Sequence, residues 1–199
     1  MPTTNVELSK NELELVSSSE FILTKNRIIE KVYNLFGALS EQYKAALNEH
    51  REILPVDIFK TPPKIYKGEN YLSLPYVMMD YPRMFSKEDV FAIRSFFWWG
   101  NYFSITLQLS GKYFYQFKNN IQQNLQTNRN TDYFVCVNDN EWQHHFETNN
   151  YKSLKEITIE DILQKAFLKI AAKISLQQWN NAEFFFIEYY VRLLQLLSN

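Results

Sequence analysis

The chain has 199 residues, 46% of them hydrophobic and 22% charged, with a formal net charge of -1. This composition excludes a disordered chain, and the charge gives no basic excess of the kind that nucleic-acid-binding proteins carry. We predict one domain over residues 1–199, with residues 1–18 as a more loosely packed arm. Four glycines in the whole chain leave no Gly-rich phosphate loop.

Cysteine usage and the first residues indicate where the protein works. Cys136 is the one cysteine of the sequence, so an internal disulfide is excluded and a reducing compartment is favoured. The first twenty residues are polar and acidic, without the apolar core of a secretory signal. The apolar run at residues 184–197 is too short for a membrane span. We expect a cytoplasmic protein that binds neither nucleic acid nor membrane.

Helical spacing of apolar residues predicts a long helical region that begins at Ser18 or Ser19 and extends to His50. Gly37 interrupts this pattern, so two helices and one bent helix both fit. Three prolines among residues 54–63 then indicate a connection across the surface.

The middle of the chain predicts a hairpin, a helix and a strand. Residues 64–79 form two extended runs around a polar Lys-Gly-Glu-Asn turn, and Pro75 makes the second run an edge strand or marks a bulge. Ser86 and Asp89 have the spacing of a capping box, which predicts that a helix begins there. Residues 102–109 alternate between apolar and polar side chains, which predicts a strand. Its polar face is either exposed to solvent or the floor of a cavity.

The second half of the chain predicts further alternation of helices and strands. Ser110 is placed to cap a helix, and residues 133–137 and 151–157 have the composition of short strands. Thr158 is placed to cap a helix that continues to Ile170. The order of elements predicts an α+β fold: a small, mainly antiparallel β-sheet packed against several helices, with helical N- and C-terminal regions.

The last predicted helix, residues 178–197, is apolar around most of its circumference. Glu188 and Arg192 form a polar strip on it and are spaced to pair with each other. Such a helix is either buried in the core or covered by a partner, so a homodimer through the part of this helix from Phe185 to Leu197 is the alternative to core packing.

A few charged residues stand among aromatic side chains in the segment from residue 71 to 111. An Asp and an Arg flank Tyr81-Pro82 and can pair to fix that turn. The alternative is that Arg83 or Arg94 binds a small anionic ligand beside the rings of Trp98 and Trp99. On the second interpretation, the candidate ligand-binding residues are Asp80, Tyr81, Arg83, Arg94, Trp98, Trp99 and Asn101.

A second candidate site lies near residue 140. If this segment is helical, Glu141 lies one turn from both His144 and His145, and a carboxylate and an imidazole at this spacing can bind a metal ion. The alternative is a solvated turn with two surface histidines. No cofactor is strongly implied. The leading interpretation is a non-catalytic intracellular binding or interaction protein with an aromatic and Arg-lined pocket, and the alternative is a metal-dependent enzyme that uses these three residues.

Overall fold

A computed structural model describes residues 6–127 and 132–198. This part of the chain has an α+β fold, in which seven antiparallel strands form one sheet with the order β1-β2-β3-β4-β7-β5-β6. In chain order the α-helices and strands are α1 (Lys10–Val16), α2 (Ser19–Glu49), β1 (Lys64–Tyr71), β2 (Leu74–Phe85), β3 (Val90–Trp98), β4 (Tyr102–Ser110), α3 (Gly111–Thr127), β5 (Phe134–Cys136), β6 (Tyr151–Ser153), α4 (Ile159–Leu163), β7 (Phe167–Ser175) and α5 (Ala182–Gln195).

The two faces of the sheet differ in chemistry. Since side chains alternate along a strand, β4 directs Phe103, Ile105 and Leu107 to one face, where they join the main core with apolar residues of α2, α3 and α5. The opposite face is polar but also buried: Thr106 and Gln108 are 5% and 2% exposed. The polar strand face predicted from the alternation is therefore a covered surface rather than a solvated one.

The helix predicted after Ser86 is wrong, because residues 90–98 form strand β3. The Ser86 hydroxyl accepts a hydrogen bond from the Asp89 amide (2.9 Å), and the Ser86 amide donates to the Asp89 carbonyl (3.0 Å). These bonds close the turn between β2 and β3. A polar box at this spacing fits a turn as well as a helix start, and the all-buried, aromatic-rich residues that follow are those of a central strand.

The hairpin between β1 and β2 turns later than the sequence suggests. The turn falls at Leu72 and Ser73, whose φ angles are 48° and 67°, and Gly68 lies within β1. A Cβ atom at Gly68 would lie 2.5 Å from the Tyr76 ring. Pro75 belongs to β2, which lies between β1 and β3, so the edge strand is β1.

One open alternative is settled in favour of a single helix, and three other predicted elements differ from the structure. Helix α2 runs through Gly37 without a break. Helix α4 ends at Leu163, and Phe167 and Ile170 belong to strand β7, where apolar residues face both a helix layer and the covered side of the sheet. Residues 140–145 are not helical, and the strand predicted over residues 151–157 ends at Ser153.

Helix α5 packs inside this chain. Phe186 and Tyr190 are fully buried; Phe186 contacts Phe36 of α2 edge to face, and Tyr190 stacks on Tyr43. Phe184 is the large apolar residue of this helix that remains exposed, at 69%. The helix therefore leaves little apolar surface for a partner chain. No helix among the described residues is long and apolar enough to cross a membrane.

We expect opposite effects from alanine at two glycines. Gly111 has a φ of +54°, and a Cβ there would lie 2.1 Å from Asp89 Oδ1, which accepts the Lys112 amide. Gly111→Ala should therefore lower the free energy of unfolding by about 1–3 kcal/mol. Gly37→Ala, with open space around its position in α2, should raise it by about 0.5–1 kcal/mol. Urea unfolding measures the free energy of unfolding of both variants. Equal effects would contradict the different backbone surroundings described for the two glycines.

Candidate functional site

The polar face of the sheet is covered by the segment of residues 137–150, here called the covering segment. Hydrogen bonds from the sheet hold its backbone: the Tyr71 hydroxyl accepts from the amides of His144 (2.6 Å) and His145 (3.1 Å), and the Tyr102 hydroxyl donates to the His144 carbonyl (3.2 Å). Lys169 of β7 donates to the carbonyls of Glu141 and Gln143. The segment has no regular secondary structure, so these side chains replace the backbone ladder that would otherwise position it.

An ion pair lies beneath the covering segment. Asp80 of β2 and Arg94 of β3 are directly paired across the two strands and are 3% and 7% exposed. Arg94 Nε donates to Asp80 Oδ1 (2.7 Å), and Arg94 Nη2 donates to Oδ2 (3.0 Å). The Tyr66 hydroxyl of β1 donates to the same Oδ2 (3.2 Å). Both oxygens of the Asp80 carboxylate are therefore occupied by donors from the protein.

His144 of the covering segment contacts this ion pair. Its Nε2 lies 3.2 Å from Arg94 Nη1. Since a guanidinium has only donors, Nε2 must accept, and the imidazole is neutral with its proton on Nδ1. Burial, together with the positive charge of Arg94, holds the pKa of His144 well below its usual range. The ring is packed against Tyr71 and Phe96, with centroid distances of 5.5 and 5.4 Å.

A cavity of about 480 Å³ opens beside the ion pair, between β1, β2 and the covering segment. Phe85 and Trp142, which are 40% and 50% exposed and lie 6.1 Å apart between ring centroids, form part of its wall. The residues that line it are Lys64, Tyr66, Tyr71, Tyr76, Met78, Asp80, Arg83, Phe85, Arg94, Trp142 and His144.

The charge of the cavity is not balanced. Its one carboxylate, Asp80, is paired with Arg94. Among the residues that the structure describes, neither Lys64 nor Arg83 has an anionic partner: Lys64 Nζ lies 5.5 Å from the centroid of the Tyr66 ring, and Arg83 Nε donates to the Pro62 carbonyl (3.1 Å). Two cationic side chains therefore line an aromatic cavity without an anionic partner in the described part of the chain.

The chain has no match among protein-family models, curated proteins or solved structures.

Three of the predicted ligand-binding residues, Asp80, Arg83 and Arg94, line the cavity together. The other four lie elsewhere. Tyr81 is buried in the main core on the opposite face of the sheet, and Trp98 packs behind the cavity, where its Nε1 donates to the Tyr71 carbonyl (3.2 Å). Trp99 and Asn101 belong to the turn between β3 and β4, in which the Asn101 amide group donates to the Trp99 carbonyl (2.9 Å).

Several cavity residues were not predicted from the sequence as ligand-binding residues. Lys64 and Tyr66 come from β1, and the β1–β2 pairing register places them beside Asp80 and Met78. Trp142 comes from the covering segment, for which no periodic pattern predicts a position.

The predicted pairing of Asp80 with Arg83 across Tyr81-Pro82 is wrong, because Asp80 pairs with Arg94 whereas Arg83 donates to the Pro62 carbonyl. The Asp80–Arg94 pair itself lines the cavity.

The candidate metal ligands do not converge. The Glu141 carboxylate accepts from Gln108 Nε2 (2.7 Å), His144 Nε2 contacts Arg94, and His145 Nδ1 lies 3.3 Å from the Tyr71 hydroxyl. Among the described residues no group of three or more His, Cys, Asp or Glu side chains is arranged to hold a metal ion. The helix on which the spacing argument depended is absent at these positions.

Lys169 is the deepest cation on the polar face. It is 1% exposed, and burial lowers its pKa to about 7. Its ammonium donates to two backbone carbonyls of the covering segment, at Glu141 (2.9 Å) and at Gln143. These bonds fix the covering segment, and Lys169 does not line the cavity.

Removing one partner of the buried ion pair should be costly. Arg94→Met leaves the Asp80 carboxylate buried without its counter-charge, and we expect a loss of about 3–5 kcal/mol in the free energy of unfolding. The double variant Asp80→Leu/Arg94→Met should lose less than Arg94→Met alone. Arg192→Met, which breaks the more exposed pair with Glu188, should change the free energy by about 0.5 kcal/mol or less. Chemical denaturation measures all three, and a double variant less stable than Arg94→Met would contradict this account.

The low pKa of His144 predicts a specific dependence of stability on pH. Below about pH 6.5 the histidine of the unfolded chain binds a proton that the folded chain does not, so the unfolded state gains stability as the pH falls. Between about pH 7 and pH 5.5 this lowers the free energy of unfolding by about 1 kcal/mol. In the His144→Gln variant, the free energy of unfolding should fall by about 1 kcal/mol less than in the unaltered protein over the same pH range. Urea unfolding measures the free energy of unfolding of both proteins. If it depends on pH identically in the two, His144 is not held neutral in the folded chain.

Proposed function

We propose that this protein binds a small anionic ligand with an apolar, preferably aromatic, portion in the cavity beside Asp80 and Arg94. The observation that carries the proposal is the uncompensated charge of Lys64 and Arg83 in a cavity whose one carboxylate is already engaged. A cation that lines a partly enclosed cavity attracts a counter-ion more strongly than one on an open surface, because the effective dielectric constant is lower there.

The hydrogen-bonding groups of the cavity also favour an anionic ligand. Nε of Arg83 is used by the Pro62 carbonyl, and its two terminal nitrogens have no acceptor among the described residues. His144 Nδ1 carries a proton and likewise has no acceptor there. The hydrogen-bonding groups of Arg83 and His144 that remain free are thus donors, and a carboxylate or phosphate offers the matching acceptors.

The aromatic residues supply the remainder of the binding energy. Phe85 and Trp142 are exposed at the cavity although they are large and apolar, and Tyr66, Tyr71 and Tyr76 form other parts of the wall. A volume of about 480 Å³ lies in the range of about 300–1,000 Å³ that is usual for sites of small organic molecules. We therefore propose that the protein acts by binding a small molecule. The free, buried thiol of Cys136 separately fits a reducing compartment.

The charge preference is testable with simple probes. Phenyl phosphate and benzoate should raise the melting temperature in a concentration-dependent manner, because each pairs an acceptor group with a ring. Benzamide, of the same shape but neutral, should raise it less, and benzylamine should not raise it. A protein that responds equally to all four probes, or best to benzylamine, would contradict the proposal.

Arg83→Gln should weaken the binding of phenyl phosphate by about tenfold or more, since a hydrogen bond to a charged group contributes about 1.5–3 kcal/mol. Lys87→Gln is the matched control, because Lys87 is exposed in the β2–β3 turn and does not line the cavity. Isothermal titration calorimetry gives both affinities. Equal weakening by the two substitutions would show a diffuse charge effect instead of a site.

A further inference from the structure

Strand β2 contains a bulge that turns two of its side chains into the cavity. From Asp80 to Arg83 there are three residue steps on β2, whereas the paired positions 94 and 92 on β3 are two steps apart. Since side chains alternate along a strand, the extra residue brings Arg83 and Phe85 to the same face as Asp80. Met84, between them, packs against the main core. Both Arg83 and Phe85 line the cavity as a result.

The connection before β1 holds Arg83 in place. The Thr61 hydroxyl donates to the Arg83 carbonyl (2.9 Å), and Arg83 Nε donates to the Pro62 carbonyl (3.1 Å). The backbone and the side chain of Arg83 are thus both fixed, while its two terminal nitrogens keep no acceptor among the described residues. A side chain that is already ordered loses little conformational entropy when it binds a ligand.

Lys64 lies beside Arg83. Pro62, which accepts the Arg83 hydrogen bond, is two residues before Lys64, and Lys64 is paired directly with Asp80 across β1 and β2. Directly paired residues project from the same face of a sheet. Lys64 and Arg83 therefore flank Asp80 on one face, the first across the strands and the second along β2. Neighbouring like charges repel each other unless an anion lies between them.

The charge of the cavity exceeds what one negative charge would neutralise. Three cationic residues, Lys64, Arg83 and Arg94, line it together with a single carboxylate, that of Asp80. His144 adds no charge, because its Nε2 accepts a hydrogen bond from Arg94. Among the lining residues a surplus of two positive charges remains. Both belong to the neighbours Lys64 and Arg83, since Arg94 is paired with Asp80.

We propose that the anion bound in this cavity is a phosphate monoester of an aromatic group, held as its dianion by Lys64 and Arg83 together, a step that rests on the proposed function. A phosphate monoester carries about two negative charges and three terminal oxygen atoms on one group, which matches two adjacent cations. The two terminal nitrogens of an arginine suit such a group. Its ring lies against Phe85, which the same bulge turns into the cavity. A carboxylate supplies one charge and leaves one cation without a partner.

Phenyl phosphate and phenyl sulfate test the second charge. They have the same shape, but at about pH 7.5 the phosphate carries about two negative charges and the sulfate carries one. Isothermal titration calorimetry should show that phenyl phosphate binds about tenfold or more tighter. Terephthalate, with its two charges at opposite ends of the ring, should bind more weakly than phenyl phosphate. Equal affinities for the phosphate and the sulfate, or tighter binding of terephthalate, would overturn the proposal.

A substitution on β1 tests the part that Lys64 plays. Lys64→Gln removes one of the two charges and should reduce the ratio of the affinities for phenyl phosphate and phenyl sulfate to about threefold or less. Lys67→Gln is the matched control, because Lys67 is an exposed lysine of the same strand on the opposite face of the sheet. It should leave the ratio unchanged. Equal ratios in the two variants would count against the proposal.

Phosphorus NMR gives an answer that needs no variant. The second pKa of a phosphate monoester is about 6. Tenfold tighter binding of the dianion than of the monoanion lowers this pKa by about one in the bound ester. At about pH 5.5 bound phenyl phosphate should therefore give mostly the signal of the dianion, whereas the free ester gives mostly that of the monoanion. A bound ester that titrates like the free one would contradict the proposal.

The dianion and the anion site fail in different ways. If phenyl phosphate and phenyl sulfate bind equally and Arg83→Gln weakens both, the anion site stands and its selectivity for a dianion is refuted. If neither compound binds, the proposed function fails, and the selectivity fails with it. Tighter binding of the phosphate that depends on both Lys64 and Arg83 supports the two proposals together.

Discussion

The arrangement of this protein depends on the ion pair between Asp80 and Arg94. A charged pair inside a sheet is tolerated only where both partners are close and their remaining hydrogen-bonding groups are satisfied. Here the two residues are paired across β2 and β3, Tyr66 satisfies the carboxylate, and His144 accepts from the guanidinium. The pair therefore requires the covering segment above it, and the covering segment in turn closes one side of the cavity.

This requirement explains why one sheet has two buried faces of different chemistry. The helices bury an apolar face by close packing, which needs no specific polar partner. On the other face the irregular backbone of residues 137–150 brings carbonyl and amide groups into the interior, and these are met by Tyr71, Tyr102 and Lys169. A cavity forms between the apolar and the polar region, where Arg83 has no anionic partner among the described residues.

The sequence predicted the α+β class and the alternating strand at residues 102–109, because a period of two is unambiguous there. It misassigned β3, since a strand buried on both faces has no such period and the Ser86 box fits two structures. Asp80, Arg83 and Arg94 stood out as charges among aromatic residues, and they do lie together. Trp142 was not predicted because its position depends on tertiary hydrogen bonds of a segment with no local pattern.

The most direct test of this account is a crystal structure of the protein grown with phenyl phosphate. The account predicts the phosphate within hydrogen-bond distance of the Arg83 guanidinium, the ring against Phe85 or Trp142, and the Asp80–Arg94 pair unbroken beneath it. A ligand bound at another surface while this cavity stays open, or a phosphate that displaces Asp80 from Arg94, would contradict it.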